Sequence, residues 1–139
     1  MIEWDTDCCN TIRKNIDYLN NHKTNFDIFE GDAREFDYSS INEQIDIVAG
    51  GPPCQPFSLG GKHQGYNDNR DMFPEAVRAI RSLKPKAFIF ENVKGLTRKV
   101  FSNYLEYIVL QLTYPSLIRK KNETWYNHLN RLERCHTKG

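Results

Sequence analysis

Apolar residues along the chain alternate between short continuous runs and segments with three- or four-residue spacing. The runs predict strands over residues 1–4, 26–29, 45–49 and 87–90. The spaced segments predict helices over residues 6–19, 72–83, 100–112 and 124–134. The helix over 100–112 is expected to be buried through Phe101, Leu105, Ile108, Val109 and Leu112. Strands that alternate with amphipathic helices indicate an α/β fold, with a mostly parallel sheet and helices on both of its faces.

Polar or reactive residues follow each predicted strand. Glu3 and Trp4 end the first strand, Asp32 follows the second, Cys54 follows the third and Glu91 follows the fourth. Ligands of parallel α/β sheets bind at the carboxyl ends of the strands. The pattern therefore predicts one composite site, although any sheet protein also places polar residues at its strand ends.

Composition narrows the class of protein. The chain has 139 residues, enough for one ordinary domain. It has no apolar run near the roughly 18 residues of a membrane span and no secretory signal pattern at its start, so we expect a cytoplasmic protein without membrane contact. The four cysteines lack the spacing of a disulfide framework and are expected to be reduced.

Charge is divided unevenly along the chain. Residues 1–59 carry 4 basic and 11 acidic side chains, whereas residues 60–139 carry 15 basic and 7 acidic ones. A basic second half is compatible with binding to nucleic acid, and ordinary solvated surface is the alternative explanation.

The loop Gly-Gly-Pro-Pro-Cys after the third strand is the most informative stretch of the sequence. Two glycines permit a sharp exit from the strand, and the prolines stiffen the loop. A cysteine in this setting, Cys54, is presented to solvent and is a candidate nucleophile, whereas most isolated cysteines only fill space in a core.

Three strand-end acids have candidate roles in the same site. Glu91, expected to be partly desolvated, is a candidate general acid, or else it caps the following turn. Glu3 can accept hydrogen bonds from ribose hydroxyls, and Trp4 can cover an adenine ring. Asp32 can accept from an adenine amino group, or it forms a turn. Cys135-His136 lacks the spacing of a zinc site, so no metal is expected.

The motif Gly-Pro-Pro-Cys-Gln-Pro-Phe-Ser at 51–58, followed by Glu-Asn-Val-Lys-Gly-Leu at 91–96, resembles the DNA cytosine-5 methyltransferase family. Asn-Arg-Asp-Met-Phe at 69–73 is similar to the family's helix-start motif, and Glu3-Trp4-Asp5 and Gly31-Asp32 are similar to its cofactor motifs. The resemblance implies a Rossmann-like fold that binds S-adenosylmethionine.

The resemblance also implies a reaction on DNA. Cys54 would add to C6 of a cytosine flipped out of double-stranded DNA, and Glu91 would protonate N3. Pro52 and Met72 would border the cofactor, and the DNA side of the loop would be lined by Gln55, Ser58 and Asn92. The biological setting it implies is a bacterial restriction–modification system.

The chain also differs from the family pattern. The family pattern includes a glycine-rich turn ahead of the Glu-Trp motif, a later Gln-x-Arg-x-Arg motif and a DNA-recognition region. Residues 1–139 contain none of the three. We therefore expect a partial catalytic domain over 1–139. The alternatives are an inactive remnant, a piece that binds a complementing subunit of a split enzyme, and a methyltransferase that acts on cytosine in tRNA.

Overall fold

A computed structural model describes residues 1–16, 18, 26–53 and 71–138 of the chain. The strands of this part are β1 (Ile2–Glu3), β2 (Phe29–Glu30), β3 (Ile47–Gly50) and β4 (Ala87–Phe90). Its longer helices are α1 (Thr6–Lys14), α2 (Phe73–Leu83), α3 (Ser102–Thr113) and α4 (Trp125–Lys138). The chain divides into two compact units, Met1–Ser40 and Ile41–Gly139.

The first unit contains a parallel strand pair and one helix. Ile2 pairs with Phe29 and Glu3 pairs with Glu30, so β1 and β2 run in the same direction. Helix α1 begins where the Asp5 carboxylate accepts a hydrogen bond from the backbone N–H of Cys8 at 2.8 Å. This is a normal N-cap, because it gives a partner to an N–H that the first helical turn leaves unpaired.

The second unit contains the other parallel pair. The register of β3 and β4 runs from Ile47 opposite Ala87 to Gly50 opposite Phe90. Both parallel pairs agree with the expected α/β class and with part of a Rossmann-like methyltransferase fold.

The two faces of the β3–β4 pair differ in how they are covered. Phe90 packs against the helical core, and its ring stacks on Phe88 with centroids 5.5 Å apart. Because side chains alternate along a strand, Ile47 and Ile89 lie on the opposite face. They are 59% and 65% exposed. This face of the β3–β4 pair therefore has less cover than the face that bears Phe90.

The main core lies between α2, α3 and α4. Its buried members include one aliphatic or aromatic stripe from each helix: Phe73, Ala76, Tyr104, Tyr107, Ile108, Leu110, Leu129 and Leu132. These positions repeat every three or four residues, as a helix face turned towards a core requires.

Helix α3 buries more of its surface than its sequence predicts. Of the predicted positions, Ile108 is buried, and Phe101, Leu105 and Leu112 pack against the core as expected. Tyr104, Tyr107 and Leu110 are buried with Ile108, whereas Val109 is 53% exposed. The tyrosines can be buried because their hydroxyls have partners: Asp71 accepts from Tyr104, and Tyr107 bonds to Nδ1 of His128. A pattern that counts only aliphatic residues and phenylalanine misses this face.

His128 is a buried polar residue whose two ring nitrogens are both satisfied. It is 1% exposed, with Nε2 2.7 Å from the carbonyl oxygen of Leu117 and Nδ1 2.8 Å from the hydroxyl of Tyr107. A carbonyl only accepts, so Nε2 carries the proton and donates it, and in the neutral ring Nδ1 accepts from Tyr107. Burial lowers the pKa of His128 and favours this neutral form.

Candidate active site

The ends of β3 and β4 bring the Glu91 carboxylate next to the backbone of the glycine–proline loop. The N–H of Glu91 donates to the carbonyl oxygen of Gly50 at 2.9 Å, which continues the parallel ladder. A Cβ atom at Gly51 would lie only 3.3 Å from Oε2 of Glu91. Glycine at position 51 therefore leaves space for the carboxylate directly beside the loop.

Glu91 is exposed, so the expectation that its carboxyl group is partly desolvated is wrong. Among the described residues, no hydrogen-bond donor contacts this carboxylate.

Two further contacts fix the loop. The side-chain N–H of Asn92 donates to the carbonyl oxygen of Pro52 at 2.9 Å, and the backbone N–H of Met72 donates to the carbonyl oxygen of Pro53 at 3.2 Å. Proline lacks an N–H but keeps its carbonyl, so these are the bonds that such a loop can still form. The structure thus brings together four of the predicted site residues, Pro52, Met72, Glu91 and Asn92.

Three other predicted site residues, Cys54, Gln55 and Ser58, lie outside the described residues. Pro53 is the last described residue before Cys54. Their roles remain predictions.

The first unit places a carboxylate and an uncovered aromatic ring at the end of β1. Oε1 of Glu3 accepts from the backbone N–H groups of Trp4 and Asp5 at 2.8 and 2.9 Å. Within the described residues, no hydrogen-bond donor contacts Oε2. The Trp4 side chain is 71% exposed. This end of the strand can therefore offer one carboxylate oxygen and one ring face to a ligand.

Asp32 has strong local partners. It caps the short 3-10 helix Ala33–Glu35, and both carboxylate oxygens accept from the guanidinium of Arg34 at 2.5 to 2.9 Å. The hydrogen bonds from Arg34 hold the pKa of Asp32 below its ordinary value. The turn-forming interpretation thus describes the contacts that Asp32 makes in the structure. A ligand amino group would have to share these oxygens with Arg34.

Glu30 is a strand-end carboxylate that the sequence reasoning missed. It is the last residue of β2 and accepts from the Thr6 hydroxyl at 2.8 Å, and it forms an ion pair with Arg13 at 2.7 Å. The Thr6 hydrogen bond, and then that from Arg13, lower the pKa of Glu30. Its position directly after the predicted strand over 26–29 was the signal that could have identified it. Its contacts with Thr6 and Arg13 hold α1 against β2.

The cysteines of the described part differ from the setting expected of Cys54. Cys9 is buried and burial raises its pKa, while a hydrogen bond with Asp5 raises the pKa of Cys8. Cys135 is exposed on α4. A raised pKa disfavours the thiolate, which is the nucleophilic form. Cys8 and Cys9 are therefore poor candidates for nucleophilic catalysis.

The described residues contain neither a metal-binding cluster nor a membrane-spanning helix. Within this part of the chain, no group of three or more His, Cys, Asp or Glu side chains is arranged to hold a metal ion. Across the same residues, no helix has both the length and the apolar character that crossing a membrane requires.

Comparisons with known proteins agree with the motifs at this site. The sequence model of the family of C-5 cytosine-specific DNA methylases matches residues 1–114. Type II methyltransferase M.NgoMIV of Neisseria gonorrhoeae is 40% identical over 111 residues, which cover 80% of this chain and 33% of that protein. Type II methyltransferase M.AquIA of Picosynechococcus is 38% identical over 122 residues, covering 82% of this chain and 46% of the relative.

A third relative extends further along the chain. Type II methyltransferase M.Sau96I of Staphylococcus aureus is 34% identical over 130 residues, or 93% of this chain and 28% of the relative. The chain thus spans between a quarter and a half of the length of these relatives. The match over 1–114, together with the loop and strand-end residues described above, shows that the chain belongs to the C-5 cytosine-specific DNA methylase family.

Proposed function

We propose that the chain is part of the catalytic domain of a DNA (cytosine-5-)-methyltransferase, with Cys54 as nucleophile and Glu91 as general acid. The observation that supports this is the approach of the Glu91 carboxylate to Gly51, three residues before Cys54. The open carboxylate on one strand end and the cysteine loop on the next are the two groups that the reaction needs.

The chemistry accounts for both residue types. C5 of cytosine is a weak nucleophile until a bond at C6 supplies electron density to the ring. The Cys54 thiolate forms that bond, while Glu91 donates a proton to N3, so the ring becomes an enamine that is nucleophilic at C5. After C5 is methylated, a base removes the C5 proton, the bond between Cys54 and C6 breaks to regenerate the thiolate, and the N3 proton returns to Glu91.

The first unit fits the nucleoside portion of S-adenosylmethionine. Trp4 offers an exposed ring face for the adenine, and Oε2 of Glu3 is available to ribose hydroxyls. Asp32 would contact the adenine amino group, and Pro52 and Met72 would border the cofactor. When bound, S-adenosylmethionine supplies the methyl group as an electrophile.

The substrate is a cytosine flipped out of double-stranded DNA, because C6 and N3 cannot both be reached inside a base-paired stack. Gln55, Ser58 and Asn92 would line the DNA side of the loop. The Type II relatives suggest a restriction–modification system in the bacterial cytoplasm, and a complementing methyltransferase subunit would supply the regions of the relatives that lie beyond their match to this chain.

A chimera tests the proposal. This chain replaces the matched segment of M.NgoMIV, and transfer of tritiated methyl groups to DNA and to tRNA is measured. We expect labelled DNA, no labelled tRNA, and a covalent complex with DNA that contains 5-fluorocytosine. Cys54→Ser should abolish both transfer and capture, while the matched control Cys135→Ser should retain both. Capture by the Cys54→Ser chimera would contradict the assignment.

The second candidate is a remnant that binds a partner without catalysis. A chimera that binds DNA and S-adenosylmethionine but transfers no methyl group would support it over the proposed enzyme.

A further inference from the structure

A cleft on the helical side of the second unit has no part in the proposed methyl transfer. It has a volume of about 390 Å³, within the range of small-ligand sites. Its walls come from α2, from α3 and from the segment between α3 and α4. The aromatic residues of its lining are Phe73, Tyr104, Tyr107 and Trp125.

The cleft has more positive charge than its own acids neutralise. Three arginines line it, Arg78, Arg81 and Arg119, together with two carboxylates. Glu75 pairs with Arg78 at 2.6 Å, and Asp71 accepts from the Tyr104 hydroxyl. Among the described residues, no carboxylate pairs with Arg81 or Arg119.

Arg81 is held in place and keeps donors available. Its Nε donates to the carbonyl oxygen of Pro115 at 2.5 Å, which ties α2 to the start of the segment that closes the cleft. The two terminal nitrogens have no hydrogen-bond acceptor among the described residues. Burial and the nearby charge of Arg78 lower the pKa of Arg81, so a bound anion would relieve an unfavourable environment.

Arg119 lines the same cleft and comes from the segment between α3 and α4. Burial raises the pKa of Tyr107, and the charge and hydrogen bonding of Arg119 oppose that rise, which shows that the guanidinium lies beside this ring. The lining of the cleft therefore combines four aromatic rings with the guanidinium groups of Arg81 and Arg119.

We propose that this cleft binds a phosphate group between Arg81 and Arg119. Guanidinium groups match phosphate oxygens with paired hydrogen bonds. A terminal phosphate carries a charge of about −1.5 to −2 at neutral pH, which two arginines without acidic partners can neutralise.

Part of the lining of this cleft lies beyond the region that the family model matches. The match ends at residue 114, whereas Ile118, Arg119 and Trp125 of the lining lie beyond it. The proposal therefore does not depend on the methyl-transfer chemistry of Cys54 and Glu91.

Titration calorimetry of the full chain with inorganic phosphate, at ionic strength held constant with chloride, tests the site. We expect saturable binding at one site per chain. Arg119→Gln should weaken it roughly tenfold to a hundredfold, the loss expected for a hydrogen bond to a charged group. Arg119 is exposed, so this substitution should leave the fold intact.

Arg134→Gln is the matched control, because it removes the same charge from an exposed position of α4 outside the cleft. It should leave phosphate affinity nearly unchanged. The proposal is overturned if phosphate shows no saturable binding, or if Arg134→Gln and Arg119→Gln weaken it equally.

Competition identifies the source of the phosphate. Thymidine 5′-monophosphate should displace inorganic phosphate and thymidine should not; equal displacement by thymidine would contradict recognition of the phosphate. Displacement by a short DNA duplex would assign the site to the DNA backbone. Displacement by the mononucleotide without displacement by the duplex would assign it to a free nucleotide.

Discussion

Glu30 and Asp32, two carboxylates at the end of β2 in the first unit, differ from Glu91 after β4 in their hydrogen-bond and ion-pair partners. Glu30 contacts Thr6 and Arg13, and Asp32 has both oxygens on Arg34. Glu91 contacts no donor within the described part and lies against Gly51. A carboxylate with local cationic partners stabilises the turn or helix beside it. One without such partners leaves its oxygens open to a ligand, as the role proposed for Glu91 requires.

Glu91→Gln is the most direct test of whether Glu91 acts in methyl transfer and not in stability. The amide keeps the shape of the side chain but cannot donate an acidic proton to N3. We expect methyl transfer by the M.NgoMIV chimera to fall by about 10²–10⁴-fold, the range for general acid catalysis, with little change in the thermal midpoint. Tritium transfer and circular dichroism measure the two quantities.

Glu106→Gln is the control for that variant, because Glu106 is an exposed glutamate on α3 away from the loop. It should change neither rate nor midpoint. A Glu91→Gln chimera that transfers methyl groups at the normal rate would reduce Glu91 to a structural residue like Glu30.

Trp4→Ala tests whether the first unit contributes a ligand surface as well as structural carboxylates. Loss of stacking on an exposed ring should weaken S-adenosylmethionine binding by the chimera roughly fivefold to a hundredfold. Trp4→Phe should recover part of the affinity. Tyr126→Ala removes another exposed aromatic ring and serves as control. Calorimetry that finds equal affinity for Trp4→Ala and the parent would remove Trp4 from the cofactor site.

Glu30→Gln should have the opposite profile to Glu91→Gln. It removes the ion pair with Arg13 and weakens the bond from Thr6, so the thermal midpoint should fall slightly, since exposed ion pairs contribute little. Methyl transfer below the transition should be unchanged. Glu35→Gln, at an exposed position nearby, is the control. A large loss of transfer in a folded Glu30→Gln chimera would mean that the comparison assigns the carboxylates wrongly.

Glu123 extends the comparison to a structural carboxylate of the second unit. Hydrogen bonds from Arg131 and from the backbone of Lys120 lower its pKa to about 2. Because its pKa is lower in the folded state, its contribution is complete above the ordinary value of 4.5 and is lost as pH falls towards about 2.

The expected result is a thermal midpoint that falls less steeply below pH 4.5 in Glu123→Gln than in the parent chain. The difference between the two proteins should be greatest near neutral pH and should shrink with acid. Glu133→Gln provides the control, and parallel curves for Glu123→Gln and the parent would refute the assignment.

The sequence was informative where a residue's environment depends on its own segment. Both parallel strand pairs, the Asp5 cap and the inward faces of α2 and α4 follow from local periodicity and capping. The approach of Glu91 to the glycine–proline loop was also expected, since parallel strands end at the same edge.

The sequence was less informative where a distant partner decides. Tyr107 can be buried because its hydroxyl donates a hydrogen bond to His128, and the two residues are 21 positions apart. The exposure of Ile47 and Ile89 depends on what packs over β3 and β4, which an apolar strand pattern does not specify.

The hydrogen-bonded ring of His128 has a practical consequence for spectroscopy. A proton held between a buried imidazole and a carbonyl exchanges slowly with solvent, because exchange requires that the surrounding structure open. Its nuclear magnetic resonance signal should therefore persist in water, away from the crowded amide region. That signal would show when α3 and α4 are docked on each other, in any variant and without an enzymatic assay.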